Sequence, residues 1–405
     1  MKLKSSLKQQ QGVALITALI ITSVAVSLAT LMIYRQQIQI RLSSNISTLE
    51  QNYQYAYGME DFAGTILKAS WEDQRDFVSF NDPWYSESGL VLPITGGLMT
   101  GKLHDLQARI NINSLIRPRI EKPSESTSVG AQTEGNTSTQ TQDTNQQNNP
   151  TPNQQNTSKQ YDDIATITKE RLNRLLTFID SDQEMGPPEN FSVILRDWID
   201  KDQNNGQFTA QISNKQQSQP PINENDLGNG AETPFYQSQE TAYYSANTEM
   251  ISPTELRLIK NMKEKFYLDL FKDITTLPIL NGNTATETGI NVNTASDKVL
   301  SSLGFPPDAV ENIIETRKEQ PFTTLDEFKE LVVVNNVLIT ENNTEGLVSP
   351  LDIGVNSEYF LLEGKIEINN TRLFVNSILW RNKNGQVSVI MRDFTNPQTI
   401  SKAIN

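Results

Sequence analysis

The pattern of apolar and polar positions divides the chain sharply, and its first apolar run sets the frame. Gly12-Val13-Ala14-Leu15-Ile16-Thr17 opens a stretch that carries no charge until Arg35. A helix rises ~1.5 Å per residue, so this run just crosses a ~30 Å hydrocarbon core. Beyond it Ile38, Leu42, Ile46, Leu49, Tyr53, Tyr57 and Ile66 recur mostly at intervals of three and four. One long helix is therefore predicted from about Val13 to Lys68, half in lipid and half packed on a globular head. No proline falls between Val13 and Asn81, and Asn81-Asp82-Pro83-Trp84 reads as the break that follows.

Further along, the period changes twice. Gly101 to Asn113 alternates as a strand, as do Tyr359 to Ile368, Arg372 to Trp380 and Gln386 to Arg392. Asn369-Asn370 and Asn384-Gly385 join the last three as hairpins, the Asn-Gly pair being the stronger signal. Between the first strand and these three the pattern is helical. Ile164, Ile167, Leu172, Leu175, Leu176 and Ile179 suit a helix, stopped by Gly186-Pro187-Pro188. Phe191 to Trp198 suits a second, short one. Ser252-Pro253-Thr254-Glu255 starts another, with Ser252 as N-cap, Pro253 in the first turn and Glu255 closing a capping box. The fold class expected is α+β: a long N-terminal helix on a small antiparallel sheet, interrupted by a large all-helical insertion.

The segment Lys122 to Lys159 is rich in Gln, Asn, Thr, Ser and Pro and has no aromatic residue. It cannot bury enough apolar surface to offset its ordering entropy, so disorder is expected over 116–160. The other boundaries read as leader 1–12, membrane segment 13–35, head 36–115 and 346–405, and inserted domain 161–345.

Composition narrows the chemistry. The 405 residues carry a formal charge of −14, which argues against a generic electrostatic grip on nucleic acid. There is no cysteine, hence no disulfide, thiolate metal site or cysteine nucleophile. The single histidine, His104, cannot build a multi-histidine site. Residues before the apolar run are polar, with Lys2, Lys4 and Lys8 and no acid, which keeps that end cytoplasmic. A signal peptide would have a shorter apolar core followed by a small-x-small cut site. Here the sharp small-residue junction, Gly12-Val13, precedes the run, so a cut there leaves the greasy helix on the mature protein. An uncleaved single-pass anchor shares the same pattern.

Two constellations invite a chemical reading. Trp198-Ile199-Asp200-Lys201-Asp202 is followed by Gly230-Ala231-Glu232 and by Tyr243-Tyr244-Ser245-Ala246-Asn247. Asp-x-Asp at a helix end brings two hard oxygen donors together, which suits Ca²⁺, although the spacing is not that of an EF-hand. The same pair could pose as the paired carboxylates of a tethered hydrolase, but nothing else supports that. The second constellation, at 288–331, is Gly289 to Ala295 with Leu300, Leu303, Val310, Ile313 and Ile314. It looks like a helix-hairpin-helix module, and makes a membrane-anchored DNA-binding protein of a competence or pilus system the alternative reading. Its hairpin, however, reads Leu303-Gly304-Phe305-Pro306-Pro307, and each proline removes a donor that phosphate would need. From Asn291 to Leu331 eight acids face four bases, so no nucleic-acid partner is expected.

The charged leader, Gly12 and the retained apolar helix resemble the prepilin family, in which a membrane peptidase cuts after such a glycine. Most members place Glu fifth after the cut; here that residue is Thr17. A carboxylate in hydrocarbon is costly without a partner, and a subunit with no neighbour ahead of it has no amine to offer. Its absence, the string Asp105, Leu106, Arg109, Asn111, Asn113, Ser114, Leu115, and the order of Trp-Ile-Asp-x-Asp, Gly-Ala-Glu, Tyr-x-x-Asn and Glu255-Leu256 resemble the minor pseudopilin K family of type II secretion. That resemblance implies a non-enzymatic tip subunit, single-pass in a Gram-negative inner membrane with its bulk in the periplasm. It implies I- and J-type minor pseudopilins, the major pseudopilin and prepilin peptidase as partners, and structural Ca²⁺ on Asp200, Asp202, Glu232 and Asn247. Thr233 stands where the family resemblance leads one to expect Asp or Asn.

Overall fold

A computed structural model describes residues 7–116, 164–179, 190–201, 230–278, 289–338, 348, 353–369 and 371–395, with side chains from Gly12 onward except at Val332 and Asn335. The expected disorder over 116–160, apart from Ile116, the Gly186-Pro187-Pro188 stop, and Asp202 lie outside the described residues. In chain order the regular elements are α1 (Leu7–Asp73), β1 (Leu90–Ile94), β2 (Gly97–Asp105), β3 (Ile110–Asn111), α2 (Ile164–Ile179), α3 (Phe191–Ile199), α4 (Thr233–Gln237), α5 (Glu264–Leu270), β4 (Ile274–Thr275), β5 (Ile290–Asn291), α6 (Asp297–Leu303), α7 (Pro307–Glu319), α8 (Leu325–Glu330), α9 (Val332–Asn335), β6 (Ile353–Gly354), β7 (Tyr359–Ile368), β8 (Thr371–Arg381) and β9 (Val387–Asp393). Single 3₁₀ turns cover Ile112–Ile116 and Pro253–Leu258. The chain divides into two compact units, Met1–Leu106 with Pro321–Thr324 and Val355–Asn405, and Gln107–Gln320 with Leu325–Gly354.

In the first unit α1 lies on a five-stranded antiparallel sheet of order β1-β2-β7-β8-β9. The three C-terminal strands coincide with the alternating segments to within a residue or two at each end. Strand β2 is shorter than its pattern promised. Its ladder ends at Asp105, where Leu106 N–H still donates to Tyr359 O, and from Asp105 to Ala108 every residue is buried. A run buried on both faces cannot continue a half-exposed edge, so the chain leaves the sheet there. Strand β1 escapes the pattern altogether; it holds Pro93, tolerable because this is an edge strand.

Of the stripe read from large apolar residues, Tyr53 and Ile66 pack against the core and are partly buried. Ile38, Leu42, Ile46, Leu49 and Tyr57 are exposed. The buried face is Asn52, Ala56, Met59, Glu60, Ala63, Leu67 and Ser70, set against Leu103, Phe360, Leu362, Ile366, Val375 and Leu379. Small residues win because the helix comes close to the strands. Gly101 and Gly364 are cross-strand partners, and a Cβ on Gly364 would stand 2.5 Å from the Met59 sulfur. The two glycines form a slot for that side chain.

Polar groups lock this packing. Glu60, buried, accepts from Arg392 Nε at 2.6 Å and Nη2 at 2.5 Å and from Ser377 Oγ. Arg381, also buried, donates to Leu67 O and Ser357 O, and burial lowers its pKa against the nearby Asp105, Asp82 and Glu358. The expected break after the helix is organised by Asp82, which accepts from Ser79 N–H and Oγ and from Trp84 Nε1. At the Asn384-Gly385 hairpin only Gly385 has positive φ (78°), and its N–H donates to Asn382 O. This is a turn closed by one left-handed residue rather than the two-residue type with two.

The second unit is helical but not wholly so. Two parallel pairs, β3 with β4 and β5 with β6, correct the all-helical expectation. Each begins with Ile-Asn-x-Asn. In both copies the first Asn side chain accepts the N–H two residues on: Asn111 Oδ1 accepts Asn113 N–H at 3.2 Å, and Asn291 Oδ1 accepts Asn293 N–H at 3.0 Å. Such a local bond ends the strand and starts a turn. The Asn111 side chain also pairs with Leu277 N–H and O, and Asn113 with Met250 N–H and O, so distant segments are stitched to one another through their backbones. The Ser252 capping box is present, opening a 3₁₀ turn rather than a full helix.

Candidate functional site

Two places in the sequence carry the functional expectations, and they are built differently. The first is the start of α1. The helix runs without interruption through Gly12-Val13. From Gly12 it is the described helix long and apolar enough to cross a membrane, and none of its apolar window is buried. Val13, Leu15, Ile16, Leu19 and Ile20 are all more than half exposed. The hydroxyls in this run are satisfied within the helix. Thr17 Oγ1 donates to Ala14 O at 3.0 Å, Thr22 to Leu19 O, Ser23 to Ile20 O, Ser27 to Ser23 O and Thr30 to Val26 O. Such bonding is what allows hydroxyl side chains at hydrocarbon depth. Thr17 therefore presents no unmet polar group where most prepilins place a carboxylate.

The second place lies where α3 ends. This nine-residue helix is buried along its entire length. Its last turn gathers two other segments by backbone hydrogen bonds. The Asp197 carboxylate accepts Ala231 N–H at 2.9 Å, and the Trp198 carbonyl accepts Asn247 N–H at 2.9 Å. Asp200, the C-cap, is buried, with its Oδ2 3.6 Å from Arg196 Nε. Glu232 is buried and is the N-cap of α4. Asn247 sits at φ 48°, a left-handed conformation that Asn tolerates better than most residues.

Three of the four proposed ligands thus fall on segments that the structure brings together: Asp200, Glu232 and Asn247. The fourth, Asp202, lies outside the described residues. Among the described residues no group of three or more His, Cys, Asp or Glu could hold a metal ion. Of the four proposed ligands only Asp200 and Glu232 are both acidic and described, so a trio of acids could not arise from them alone. Asp200 and Glu232, both buried, and the Asn247 side chain carry oxygen atoms, the ligand type that calcium takes.

Sequence reasoning overlooked the residues that support these donors. Trp198 packs edge-on against Tyr236 at 4.9 Å and Tyr243 at 6.3 Å, so one indole is the common floor of α3, α4 and the Tyr243–Asn247 turn. Burial pushes the Tyr236 phenol far above its usual range against the opposing Lys260 N–H, and Tyr243, Asp197 and Glu232 add to the effect. Thr233, the departure from the family pattern, is also accounted for. Its Oγ1 meets Ser245 Oγ at 2.6 Å, and Ser245 Oγ donates to Asn247 Oδ1 at 2.7 Å. The hydroxyl orients the turn instead of adding a charge. Asp197 and Trp198 could have been noticed as neighbours of the Asp-x-Asp motif, but their partners are remote in sequence.

Comparison with known proteins bears on both places. Two family models, each described as type II secretion system protein K, match residues 221–279 and 290–348. The protein K of Pseudomonas aeruginosa is 27% identical over 392 residues, covering 95% of this chain and 92% of that one. That of Aeromonas hydrophila is 24% identical over 396 residues, covering 96% and 98%. Along nearly its whole length the chain is similar to type II secretion system protein K. A crystal structure of the GspK-GspI-GspJ complex from enterotoxigenic Escherichia coli shares the fold, with TM-score 0.57, 20% identity and coverage of 86% of this chain and 99% of that one.

The two stretches matched by the family models hold part of the motifs. Glu232 and Asn247 fall in the first and the helix-hairpin-helix-like segment in the second. In that segment Gly304 (φ 115°) caps α6 and Pro307 opens α7. Phe305 is buried edge-on against Phe328 at 5.9 Å. Arg317 Nη1 donates to Val292 O at 2.6 Å, and burial lowers that guanidinium to about 10. Leu303 and Phe305 of the hairpin are buried while Pro306 and Pro307 are exposed, and one of the four bases of the segment is committed to a backbone carbonyl. Nothing in the comparisons supports the DNA-binding alternative.

Proposed function

We propose that this chain is the terminal minor pseudopilin of a type II secretion pseudopilus: it starts and caps the filament and catalyses no reaction. Prepilin peptidase would cut between Gly12 and Val13, leaving the apolar half of α1 in the inner membrane and the remaining bulk in the periplasm. The partners are I- and J-type minor pseudopilins, by analogy with the Escherichia coli complex, and then the major pseudopilin. The observation that carries the reading is α1 itself. Large side chains from Val13 to Leu49 are exposed along a helix whose next turns are anchored in the sheet, so this length is left for lipid and for neighbouring helices. Thr17 fits a subunit with nothing ahead of it, because no buried carboxylate awaits a partner amine.

Asp200, Asp202, Glu232 and Asn247 would hold a structural calcium ion, whose charge offsets the repulsion of acids packed together from separate segments. Removing calcium with EDTA should lower the melting temperature of the purified protein, and restoring it should reverse the loss. An identical melting temperature in both conditions would remove the ion from the proposal.

Mass spectrometry of the mature protein tests the remainder. A mass beginning at Val13 is expected; an intact Met1, or a cut beyond Tyr34, would refute the prepilin reading. Deletion of the gene in its native host should stop export of secretion substrates. Normal export and fibres of normal length in the deletion strain would refute the tip role.

A further inference from the structure

We infer that Asp197 is a positioning residue for the calcium site: by holding Ala231 N–H it sets Glu232 at the end of α3, and it is not itself a ligand. The inference rests on the calcium reading above for its binding arm alone. The geometry supplies the argument. Asp197 is 1% exposed, three residues before Asp200 on the last turn of α3. Its Oδ2 accepts the N–H of Ala231 at 2.9 Å, and Ala231 is also 1% exposed. The following residue is Glu232, whose carbonyl accepts Phe235 N–H as α4 begins. Fixing one backbone amide therefore fixes both where Glu232 stands and how α4 starts.

The adjacent residue grips the third segment, because the Trp198 carbonyl holds Asn247 N–H at 2.9 Å. Asp197 and Trp198 thus each bind the backbone at or next to a proposed ligand, one through its side chain and one through its main chain. The last turn of α3 thus holds the backbone at Ala231 and at Asn247, 34 and 49 positions further along the chain. A buried carboxylate that accepts a backbone N–H is a strong, charge-assisted clamp. Outer partners of this kind tune affinity without touching the ion.

Asp197→Ala and Asp197→Asn separate the alternatives, using the full chain in detergent. Asn keeps an oxygen that accepts the Ala231 N–H; Ala does not. Two measurements are made: deuterium exchange of the peptide spanning Gly230 to Phe235 in EDTA, and calcium affinity by calorimetry. Asp197→Ala should speed exchange there about tenfold and weaken calcium by about 10–100-fold, the usual cost of losing an outer partner. Asp197→Asn should restore both to within about threefold. Glu232→Gln should weaken calcium and leave the EDTA exchange unchanged. Wild-type exchange in Asp197→Ala would overturn the clamp. Loss of calcium binding in Asp197→Asn with exchange intact would make Asp197 a ligand and overturn the proposal. If the wild type binds no calcium, the ion reading fails, and the exchange result alone decides for or against the clamp.

Discussion

The two halves of α1 follow opposite rules. From Val13 to Leu49 the helix is rich in large aliphatic side chains, and every large one is exposed. From Asn52 to Ser70 the buried face is mostly small or polar, and it packs on the sheet. The usual link between apolar size and burial inside the protein is inverted along one helix. The physical reason is the environment each half meets. The first half has no protein around it, and its apolar surface suits lipid and other helices. The second meets strands approaching at glycines, where close backbone approach leaves room for alanine and methionine and little else.

The comparison can be broken hardest at Arg392. Replacing it with Ala leaves the buried Glu60 carboxylate without its bidentate partner, and breaking such a pair costs about 3 kcal/mol. Chemical denaturation of the first unit should show it. A loss below about 1 kcal/mol would mean that the ion pair is not what fixes the second half of α1.

Next comes the glycine slot. A Cβ on Gly364 would lie 2.5 Å from Met59 Sδ and 2.6 Å from Val375 Cγ1. Gly364→Val should cost about 2 kcal/mol by overpacking, as should Ala63→Leu on the facing helix. Leu42→Ala, in the exposed half, should leave the melting temperature of the isolated chain unchanged and weaken association with the other pseudopilins. A lowered melting temperature for Leu42→Ala would show that the exposed stripe is internal packing after all.

A smaller effect of opposite sign is expected at Gly58, on the outer side of α1, where an added methyl group would meet nothing within 4 Å. Gly58→Ala should stabilise by up to about 1 kcal/mol through helix propensity, and thermal melting should show the gain. The smallest effect belongs to Glu367, whose hydrogen bond with Lys365, aided by Arg372, lowers its pKa below the usual carboxylate range. A folded-state pKa below the unfolded one contributes stability above the unfolded value, about 4.5, and loses it as pH falls through the folded value. NMR titration should find Glu367 low in the wild type and moved upward in Lys365→Ala.

Much of this is legible in order along the chain. Strands β7 to β9 can be read because alternation matches a sheet with one covered face. The Ser252 capping box can be read because both partners lie within four residues. The α1 stripe misleads because large apolar residues suggest the packed face, whereas the glycine slot that selects small ones lies in strands far along the chain. Strand β1 is hidden because Pro93 interrupts its pattern, and proline is tolerated there only by its edge position. At the acidic site Asp200, Glu232 and Asn247 emerge through a family resemblance. Asp197 does not, and Trp198 appears there only as a motif residue without its role, since both act through hydrogen bonds to residues 34 and 49 positions away.

By itself the sequence determined what is local: a helix long and greasy enough to span lipid, the turns, the caps and the alternation of three strands. These depend on residues a few positions apart, where backbone sterics and side-chain period act directly. The tertiary structure alone decided which face of α1 is buried, which hydroxyl Thr233 meets, and how one turn of α3 gathers the segments of Ala231 and Asn247. Those outcomes depend on which distant backbones come close enough to exclude a methyl group or share a proton, and periodicity carries no record of that.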